Sequence, residues 1–574
     1  MAKKKSSQNR KEQKSEPRER PQDISPSEED TASAQGEETD APIRDSISFP
    51  IVGMGASAGG LEAFEIFFRH MPSDSGMAFV LVAHLDPTHV SILPELIQKH
   101  TKMSVLAVED GVQVRPNTVH VIPPQKELNI LNGVLYLLDQ PQPRGANLPI
   151  DTFFRSLAQD QGNNAICIIL SGTGSDGTLG LKAIKGELGM AMVQEEETAK
   201  YDGMPRNAIA TRLADYILPV DKMPEELIKY VDHKASNVIA EIPVVEKELT
   251  NVLPKIFLLL RTQTGHDFSQ YKRNTIYRRV ERRMHVHQID DISHYARYLR
   301  ESKGEVEILF KELLIGVTNF FRDPQAFEML KDLILSLFED KPDEYTFRVW
   351  VPGCSTGEEA FSIAMLLQEC MEERQRHFSI QIFATDLDEE TIAMARLGRF
   401  PTSIAADVTP ERLQRFFTSV EEAYEVKKSI RDMLVFAPQD LIKDPPFTKL
   451  DLLCCRNLLI YLNPELQQKI LPIFHYSLKP DAILFLGSSE SVGSTTDLFR
   501  LVDKKWKIYV RQPSSSVAHP ILSFPTPPDS EQEDQPEISE TLRRAEELSA
   551  FQMVETILQQ TQAPPCAIID AASN

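Results

Sequence analysis

Short apolar segments that alternate with helical patterns recur in two separate parts of the chain. In the first part they start at Phe49, Ala78 and Ile166. In the second part they occupy residues 347–351, 379–388, 434–440, 450–461 and 482–488. A short apolar run bounded by turn residues is typical of a strand buried in a parallel sheet. Strands that alternate with helices in this way predict two α/β domains.

A glycine turn follows the segment 347–351. Residues 352–357, Pro-Gly-Cys-Ser-Thr-Gly, combine turn-forming glycines with hydroxyls that can cap the apolar helix pattern behind them. Such strand–turn–helix units hold ligands at the carboxyl ends of α/β sheets. The turn lacks both phosphate-binding glycine motifs and carries Glu358 and Glu359, which favours a cationic or neutral ligand, such as the sulfonium of S-adenosylmethionine. An ordinary α/β turn capped by Ser355 or Thr356 is the alternative.

A second glycine turn follows the segment that starts at Phe49. Residues 55–59, Gly-Ala-Ser-Ala-Gly, match the Gly-x-Ser-x-Gly pattern that places a nucleophile, here Ser57, on a sharp turn. The glycines leave room for a substrate, and the helix start behind the serine offers free backbone N–H groups to an oxyanion. Two alternatives remain open: a phosphate-binding turn, of which Gly53-x-Gly55 is half, and a plain structural turn.

Two more polar residues follow strands of the first part. His84 ends the segment that starts at Ala78, and Asp176 lies in the glycine-rich loop after residues 166–170. The carboxyl ends of parallel strands meet at one edge of a sheet, so these side chains can converge with Ser57. The sequence therefore predicts a nucleophile, a base and an orienting carboxylate. Their order along the chain differs from that of the α/β-hydrolases, which excludes that fold.

Residues 252–314 show helical periodicity around a strongly basic stretch. Apolar residues recur there every four positions, and Arg278, Arg279, Arg282 and Arg283 lie off the apolar stripe. We favour a solvated basic helix face. The functional alternative is a docking face for an acidic partner such as a receptor helix, and nucleic acid ranks below both.

Polar residues also follow the strands of the second part. Asp386 ends its strand where an acid typically binds the ribose hydroxyls of a nucleoside cofactor. Asp440 ends the next strand, and Arg456 and Asn457 follow the one after it. This edge of the second sheet is therefore the predicted site. Arg322, beside two phenylalanines, either packs into the core with its charged head at the surface or faces the cofactor.

The composition limits which functions and which cellular locations we expect for the protein. The chain has 574 residues, a formal net charge of -22 and 6 cysteines. Its length predicts two or three domains, and its negative charge argues against nucleic acid as the main partner. Scattered cysteines without a Cys-x-x-Cys pair fit reduced thiols and predict no metal site. With no signal peptide and no bilayer-spanning apolar run, we expect a cytoplasmic protein without membrane insertion.

Residues 48–235 resemble the catalytic domain of the chemotaxis protein-glutamate methylesterases, the CheB family. The resemblance rests on Gly-Ala-Ser-Ala-Gly-Gly at 55–60, His84, Leu-Ser-Gly-Thr-Gly-Ser-Asp-Gly at 170–177 and Tyr-Asp-Gly-Met-Pro-Arg-Asn-Ala at 201–208. It implies that Ser57 is the nucleophile, His84 the general base and Asp176 its orienting carboxylate. The implied reaction hydrolyses glutamyl methyl esters of a chemoreceptor-like protein. Family members usually carry an N-terminal receiver domain, whose place a polar tail takes here, so we expect no control by phosphorylation in the same chain.

Residues 252–512 resemble the chemotaxis receptor methyltransferases, the CheR family. The matching motifs are Thr318-x-Phe-Phe-Arg322, Ser-Thr-Gly-Glu-Glu at 355–359, Asp386-x-Asp388 and Cys-Arg-Asn at 455–457 with Ile460-Tyr461. The resemblance implies an S-adenosylmethionine site formed by Thr318, Arg322, Glu359, Asp386, Asp440, Leu441, Arg456 and Asn457. Arg322 and Tyr461 would be the catalytic residues nearest the transferred methyl. The family often has asparagine where Gly316 and Asp440 stand.

A competing motif is Asp444-Pro-Pro-Phe447. It resembles a motif of amino-group methyltransferases that act on DNA or protein, where it directly follows the fourth strand. Here it precedes that strand, and Arg456-Asn457 takes its place. Together with the acidic charge, this placement disfavours a DNA methyltransferase.

We therefore predict an α/β protein with two doubly wound sheet domains, flanked by disordered and coiled-coil segments. The predicted segments are a disordered tail (1–46), a methylesterase domain (47–235), a linker (236–251), a helical subdomain (252–325), a class I S-adenosylmethionine-dependent methyltransferase domain (326–512), a linker (513–536), a coiled-coil helix (537–562) and the start of a PAS-like domain (563–574). The coiled coil would allow dimerisation.

The predicted function is bifunctional modification of methyl-accepting chemotaxis receptors or similar signalling proteins. One domain would methylate glutamate carboxylates with S-adenosylmethionine, and the other would hydrolyse the esters. Two alternatives remain: a signalling scaffold in which one or both sites only bind, and a nucleic-acid methyltransferase fused to an unrelated hydrolase.

Overall fold

The computed structural model describes residues 49–84, 92–139, 148–237 and 242–513, apart from residues 315, 340, 343, 422 and 494. The predicted tail at 1–46, the coiled coil at 537–562 and the PAS-like segment at 563–574 lie outside the described residues. The predicted linker at 513–536 also lies outside them, except for its first residue.

Residues 49–237, the N-terminal unit, are built around a parallel sheet. Its strands are β1 (Ile51–Ala56), β2 (Ala78–Ala83), β3 (Ser104–Ala107), β4 (Val112–Gln113), β5 (Thr118–Val121), β6 (Lys126–Leu131), β7 (Val134–Asp139), β8 (Ala165–Ile169), β9 (Met190–Gln194) and β10 (Tyr216–Leu218). Its helices are α1 (Gly60–His70), α2 (Leu93–Gln98), α3 (Pro149–Gln161), α4 (Thr178–Gly186), α5 (Gly203–Ala210) and α6 (Met223–Asn237). Seven strands pair in the order β10-β9-β8-β1-β2-β5-β3, all parallel. Strands β4, β7 and β6 form a small antiparallel sheet, which the sequence analysis did not anticipate.

Residues 242–314, the helical unit, contain α7 (Ile242–Thr264), α8 (Arg273–His287), α9 (Ile292–Glu301) and α10 (Lys303–Leu313). Helix α7 begins at Ile242, so most of the predicted linker at 236–251 is helical, and its assignment as a linker stays a prediction. The segment 242–251 contains no glycine, and Pro243 falls in the first turn, where its missing N–H costs no hydrogen bond. Within the described ranges, no helix is both long and apolar enough to cross a membrane.

Residues 316–513, the C-terminal unit, contain a second large sheet. The elements are α11 (Pro324–Glu339), β11 (Thr346–Pro352), α12 (Glu358–Glu373), β12 (Ser379–Asp386), α13 (Glu389–Leu397), β13 (Arg399–Pro401), α14 (Pro410–Phe416), β14 (Phe417–Val420), β15 (Ala423–Val426), α15 (Lys428–Arg431), β16 (Leu434–Pro438), β17 (Leu450–Cys455), α16 (Pro464–Ser477), β18 (Leu478–Leu486), β19 (Phe499–Asp503) and β20 (Ile508–Arg511). The sheet order is β16-β12-β11-β17-β18-β20-β19, antiparallel only at β20 and β19. Strands β13, β15 and β14 form a separate antiparallel sheet.

Both glycine turns predicted from the sequence lie where the strand order of a sheet reverses. In the first sheet β1 is flanked by β8 and β2, and in the second β11 is flanked by β17 and β12. All six residues of β1 are buried, as expected for a central strand covered by helices on both faces. Open α/β sheets bind ligands at such reversal points, beyond the carboxyl ends of the strands. The predicted fold class, with two doubly wound sheets, is confirmed.

The basic helix α8 does not present a solvated face. Only Arg278 of its four predicted surface arginines is exposed, and Arg279, Arg282 and Arg283 are buried. Nε of Arg282 donates to the carbonyl of Gly189 at 3.0 Å. Both interpretations of these residues, a solvated face and a docking face for a separate partner, are therefore wrong for the three buried arginines. The face packs against the N-terminal unit of the same chain.

Two carboxylates anchor this interface. Asp215 of the N-terminal unit binds Arg282 and accepts a hydrogen bond from Lys185 at 2.8 Å. Glu312 of α10 accepts from Arg282 at 2.7 Å and from Lys185 at 3.3 Å. Burial alone would raise the pKa of Asp215, but Arg282 and Lys185 outweigh it and hold that pKa well below its usual range. We call Lys185, Asp215, Arg282 and Glu312 the interface cluster.

Candidate active sites

The turn after β1 places Ser57 against the loop that carries Asp176. The backbone N–H of Ser57 donates to the carbonyl of Ser171 at 3.0 Å. A Cβ atom built on Gly172 would lie 2.9 Å from Cβ of Ser57, so the two loops are in contact. Gly59 has φ 78° and precedes α1, a conformation that favours glycine.

The predicted triad residues lie together at the carboxyl edge of the first sheet. Nε2 of His84 lies 2.7 Å from Oδ2 of Asp176. The backbone N–H of His84 donates to the carbonyl of Ala56, the residue before Ser57, at 3.3 Å. Because Asp176 binds Nε2, Nδ1 is the ring nitrogen left to accept a proton. The catalytic roles of Ser57, His84 and Asp176 remain predictions.

Backbone amides hold the Asp176 carboxylate in place. It is buried and accepts hydrogen bonds from the N–H groups of Ile150 at 3.1 Å, Asp151 at 2.8 Å and Gly177 at 2.9 Å. Ile150 and Asp151 lie in the first turn of α3, where free amides and the helix dipole favour a negative charge. These backbone hydrogen bonds therefore hold the Asp176 carboxylate in the position where it binds His84.

Asp151 is a supporting residue that the sequence analysis missed. Its carboxylate is buried and accepts from the N–H of Gly180 at 2.6 Å, which joins the start of α3 to α4. Burial raises the pKa of Asp151 well above its usual range, and the charge of Asp176 raises it further. The only sequence signal is an acid in the first turn of a helix, which is too common to identify it.

Two free amides lie beside Ser57. Among the described residues, no hydrogen-bond acceptor is found for the backbone N–H of Ala58 or Gly59, whereas that of Ser57 is bound. Such amides at the start of a helix can stabilise an oxyanion. This agrees with the expectation from the sequence.

The turn after β11 is tied to the neighbouring strand β12. The N–H of Cys354 donates to the carbonyl of Thr385 at 2.9 Å, and the N–H of Ser355 donates to Oδ2 of Asp386 at 2.8 Å. Oδ1 of Asp386 accepts from the N–H of Asp388 at 3.1 Å. Each carboxylate oxygen keeps a lone pair for a further donor, such as a ribose hydroxyl. Burial raises the pKa of Asp386, and these backbone hydrogen bonds oppose the shift.

The predicted cofactor residues line two adjoining cavities. A cavity of about 120 Å³ is lined by Asp386, Asp440 and Leu441 among others. A larger cleft of about 1050 Å³ is lined by Thr318, Arg322, Glu359 and Arg456 among others. Asn457 and Tyr461 line both, so the two spaces meet at these side chains. The structure thus brings together every residue predicted for this site, and their individual roles remain predictions.

Arg456 connects several residues of the C-terminal unit that line the larger cleft. Its guanidinium donates to Glu359 at 3.2 Å, to the carbonyl of Arg322 at 3.0 Å and to Asp323 at 2.5 Å. Arg322 donates to the carbonyl of Val317 at 2.9 Å. Burial raises the pKa of Glu359, and the neighbouring Arg456 opposes that shift. These contacts show Arg456 positioning the cleft walls, a role that its motif alone did not indicate.

Asp440 binds within its own loop. Oδ1 accepts from the N–H of Ile442 at 2.9 Å, and Oδ2 lies 3.0 Å from Nζ of Lys443. Burial alone would raise the pKa of Asp440, but His266, the Ile442 amide and Lys443 lower it to about 2. Asp440 therefore stays ionised at neutral pH.

Glu490 is a second supporting residue that the sequence analysis missed. It is buried and accepts from the N–H groups of Gly487 at 2.6 Å, Asn457 at 2.9 Å and Ile460 at 3.3 Å. These bonds fix the segment that carries Asn457 and Tyr461. The sequence signal that could have identified Glu490 is an acidic residue shortly after a predicted strand.

Phe447 of the Asp-Pro-Pro-Phe motif packs into the core. Its ring stacks on Phe383 with the centroids 4.2 Å apart, and it meets Trp350 edge-on at 5.6 Å. Asp444 accepts from the N–H of Asp440 at 2.7 Å. The motif is used for packing and loop structure, which argues further against an amino-group methyltransferase.

Three family profiles match the chain. The one described as CheB methylesterase matches residues 52–227. Those described as CheR methyltransferase match residues 252–314 for the all-alpha domain and 316–508 for the SAM binding domain. Together they cover the N-terminal, helical and C-terminal units.

Individual proteins show the same division. An uncharacterised 104.1 kDa protein of Rhodobacter capsulatus is 34% identical over 83% of this chain and 52% of its own length, so the chain spans about half of that relative. The chemotaxis protein methyltransferase of Escherichia coli is 32% identical over 43% of this chain and 86% of its own length. The crystal structure of the Thermotoga maritima CheB methylesterase catalytic domain shares 30% identity over 32% of this chain and 100% of that chain, with a TM-score of 0.31.

These matches follow the order of the resemblances found in the sequence. The CheB match covers the unit that carries Ser57, His84 and Asp176, and the CheR matches cover the unit that carries Asp386 and Glu359. The chain carries a CheB methylesterase domain and belongs to the family of chemotaxis protein methyltransferases.

Proposed function

We propose that this chain adds methyl groups to glutamate carboxylates of chemoreceptors and removes them by ester hydrolysis. The observation that carries the proposal is the pair of sites, each at the reversal point of its own parallel sheet. One site combines Ser57 with a hydrogen-bonded His84–Asp176 pair, and the other combines Asp386 and Glu359 in adjoining cavities. The expected place of action is the cytoplasmic part of a receptor.

In the hydrolytic site, Nδ1 of His84 accepts the proton of Ser57 as its oxygen attacks the ester carbonyl. Asp176 stabilises the imidazolium, and the amides of Ala58 and Gly59 bind the oxyanion. His84 then returns the proton to the leaving methoxide, which departs as methanol. Water, deprotonated by His84, hydrolyses the remaining acyl-serine and restores both the glutamate and Ser57.

The residues of the second site fit S-adenosylmethionine. The cavities are lined by the acids Asp386, Asp388 and Glu359, which suit a cation, and Asp386 would bind the ribose hydroxyls. When bound, this cofactor supplies an electrophilic methyl group. The acceptor glutamate is already ionised at neutral pH, so the protein's task is to position it. Arg322 and Tyr461, which line the larger cleft, would orient that carboxylate.

The direct test is transfer of labelled methyl groups from S-adenosylmethionine to receptor cytoplasmic domains, followed by mapping of the label. We expect base-labile label on glutamate side chains, with labelled methanol released again in the presence of active enzyme. Label on nucleic acid would support the alternative methyltransferase instead. Binding of receptor and cofactor with no labelled product and no methanol would indicate a scaffold.

Asp386→Ala is expected to weaken S-adenosylmethionine binding about 10- to 100-fold, because it removes a charged hydrogen-bond acceptor for the ribose. Calorimetry on the full chain measures this change. Asp497→Ala, which alters an exposed acid of the same unit, is the matched control and leaves affinity unchanged. Retained affinity in folded Asp386→Ala protein would refute the ribose role.

A further inference from the structure

The larger cleft lies between two units that the family profiles treat separately. One wall is formed by α3, α4 and the turn after α3 in the N-terminal unit, including Gln159, Asn163 and Lys182. The opposite wall is formed by α8 and the residues around Thr318 and Tyr461. The esterase unit therefore borders the space in front of the methyl-transfer site.

The two adjoining cavities are suited to two different ligands. The smaller one, of about 120 Å³, contains the acids at the ends of β12 and β16 that suit a nucleoside cofactor. The larger one, of about 1050 Å³, has room for a segment of polypeptide and reaches Arg322 and Tyr461. An acceptor glutamate that approaches the methyl group through the larger cleft must pass the wall formed by α3 and α4.

That wall is held closely against the transferase. A Cβ atom on Gly186, at the end of α4, would lie 2.3 Å from Cγ2 of Val317, the neighbour of Thr318. Arg155 of α3 makes two hydrogen bonds to Asp407 of the C-terminal unit, at 2.7 and 3.0 Å. The wall is thus fixed by packing and by a paired charge, and it does not depend on a bound partner.

Of the two cations on this wall that are described here, Lys182 is the more loosely paired. Arg155 is committed to Asp407, whereas Nζ of Lys182 lies 3.7 Å from Oε1 of Glu358, beyond hydrogen-bonding distance, with 20% of its side chain exposed. An ammonium group facing a cleft attracts carboxylates. Across the cleft, Arg278 of α8 is exposed and adds a second cation to the lining, whereas Arg282 and Arg283 are buried and do not line the cleft.

We propose that the esterase unit forms one wall of the acceptor channel and that Lys182 selects acceptors with acidic residues beside the methylated glutamate. Lys182 acts on specificity and takes no part in the chemistry. This inference rests on the proposed methyl transfer and adds a function for the esterase unit in that reaction. Its ligand is an acidic segment of polypeptide.

The test uses the full chain and two synthetic peptides of otherwise identical sequence. One carries glutamates on both sides of the acceptor glutamate, and the other carries glutamines there. We expect Lys182→Ala to raise KM for the acidic peptide about tenfold and to leave KM for the neutral peptide unchanged. The kcat and the affinity for S-adenosylmethionine stay constant, and Lys182→Arg restores most of the preference.

Lys229→Ala is the matched control. Lys229 lies on α6, pairs with Glu225 and Glu226, and does not line the cleft. An unchanged preference in Lys182→Ala would overturn the inference while leaving the proposed methyl transfer intact. An equal change for both peptides would also overturn it, because the effect would then be structural. A wild-type chain that methylates neither these peptides nor receptor domains would overturn the proposed function and this inference with it.

Discussion

Ser57→Ala is expected to lower the rate of methanol release from methylated receptor domains by at least about 10⁴-fold. Alanine removes the attacking oxygen and keeps the turn, because the Ser57 contact seen in the structure is a backbone hydrogen bond to Ser171. The His84–Asp176 pair also remains. Methyl transfer should continue at the wild-type rate, so receptor label accumulates. Both rates are measured on the same preparation of the full chain.

Ser104→Ala provides the matched control, since Ser104 is an exposed serine on β3 of the same unit. It should leave both rates unchanged. If methanol release continued at the wild-type rate in the Ser57 variant, another group would have to be the nucleophile. If both reactions were lost together, the substitution would have damaged the fold.

Asp215→Ala is expected to lower the free energy of unfolding by roughly 3–5 kcal/mol. The substitution leaves Arg282 and Lys185 buried with one carboxylate, Glu312, where two now neutralise them. It also removes the acceptor of the Ala191 amide, 2.9 Å away. Because the pKa of Asp215 lies below its unfolded value, its contribution is present above about pH 4 and is lost as the pH falls further. Denaturant titration at neutral pH and near pH 3 measures both effects.

Asp221→Ala is the control for this substitution. Asp221 is also in the N-terminal unit, but its side chain is 44% exposed and lies 3.9 Å from Lys222. Such surface pairs contribute about 0–1 kcal/mol. A loss at Asp215 no greater than that at Asp221 would show that the interface cluster does not stabilise the chain.

The strand-end residues could be predicted because sequence periodicity and sheet geometry suffice to bring them together. The strands before His84 and Asp176, and the strand that ends at Asp386, had to deliver each side chain to the carboxyl edge of its own sheet if the strands were parallel. Their supporting residues could not be identified in this way. Asp151 and Glu490 bind backbone amides of turns whose geometry is absent from any local pattern.

The arginines of α8 show a second limit of prediction from sequence. Charged residues that lie outside the apolar stripe of a helix are normally solvated. The periodicity of α8 contains nothing to contradict that expectation. Asp215, which binds Arg282, lies 67 residues earlier in the chain and in another unit. Contacts of this kind depend on how units dock. The predicted linker at 236–251 is a similar case, because its mixed composition did not reveal that α7 begins at Ile242.

The interface cluster has a consequence for the control of methylation. It docks the helical unit against the N-terminal unit of the same polypeptide. Because one chain carries both proposed activities, the two would be present in equal amounts wherever the protein is found. When both reactions run far below saturation, the methylated fraction of a receptor equals the methylation rate constant divided by the sum of both constants. The enzyme concentration cancels from that ratio. Cells that make more or less of the protein would therefore reach the same steady state at different speeds.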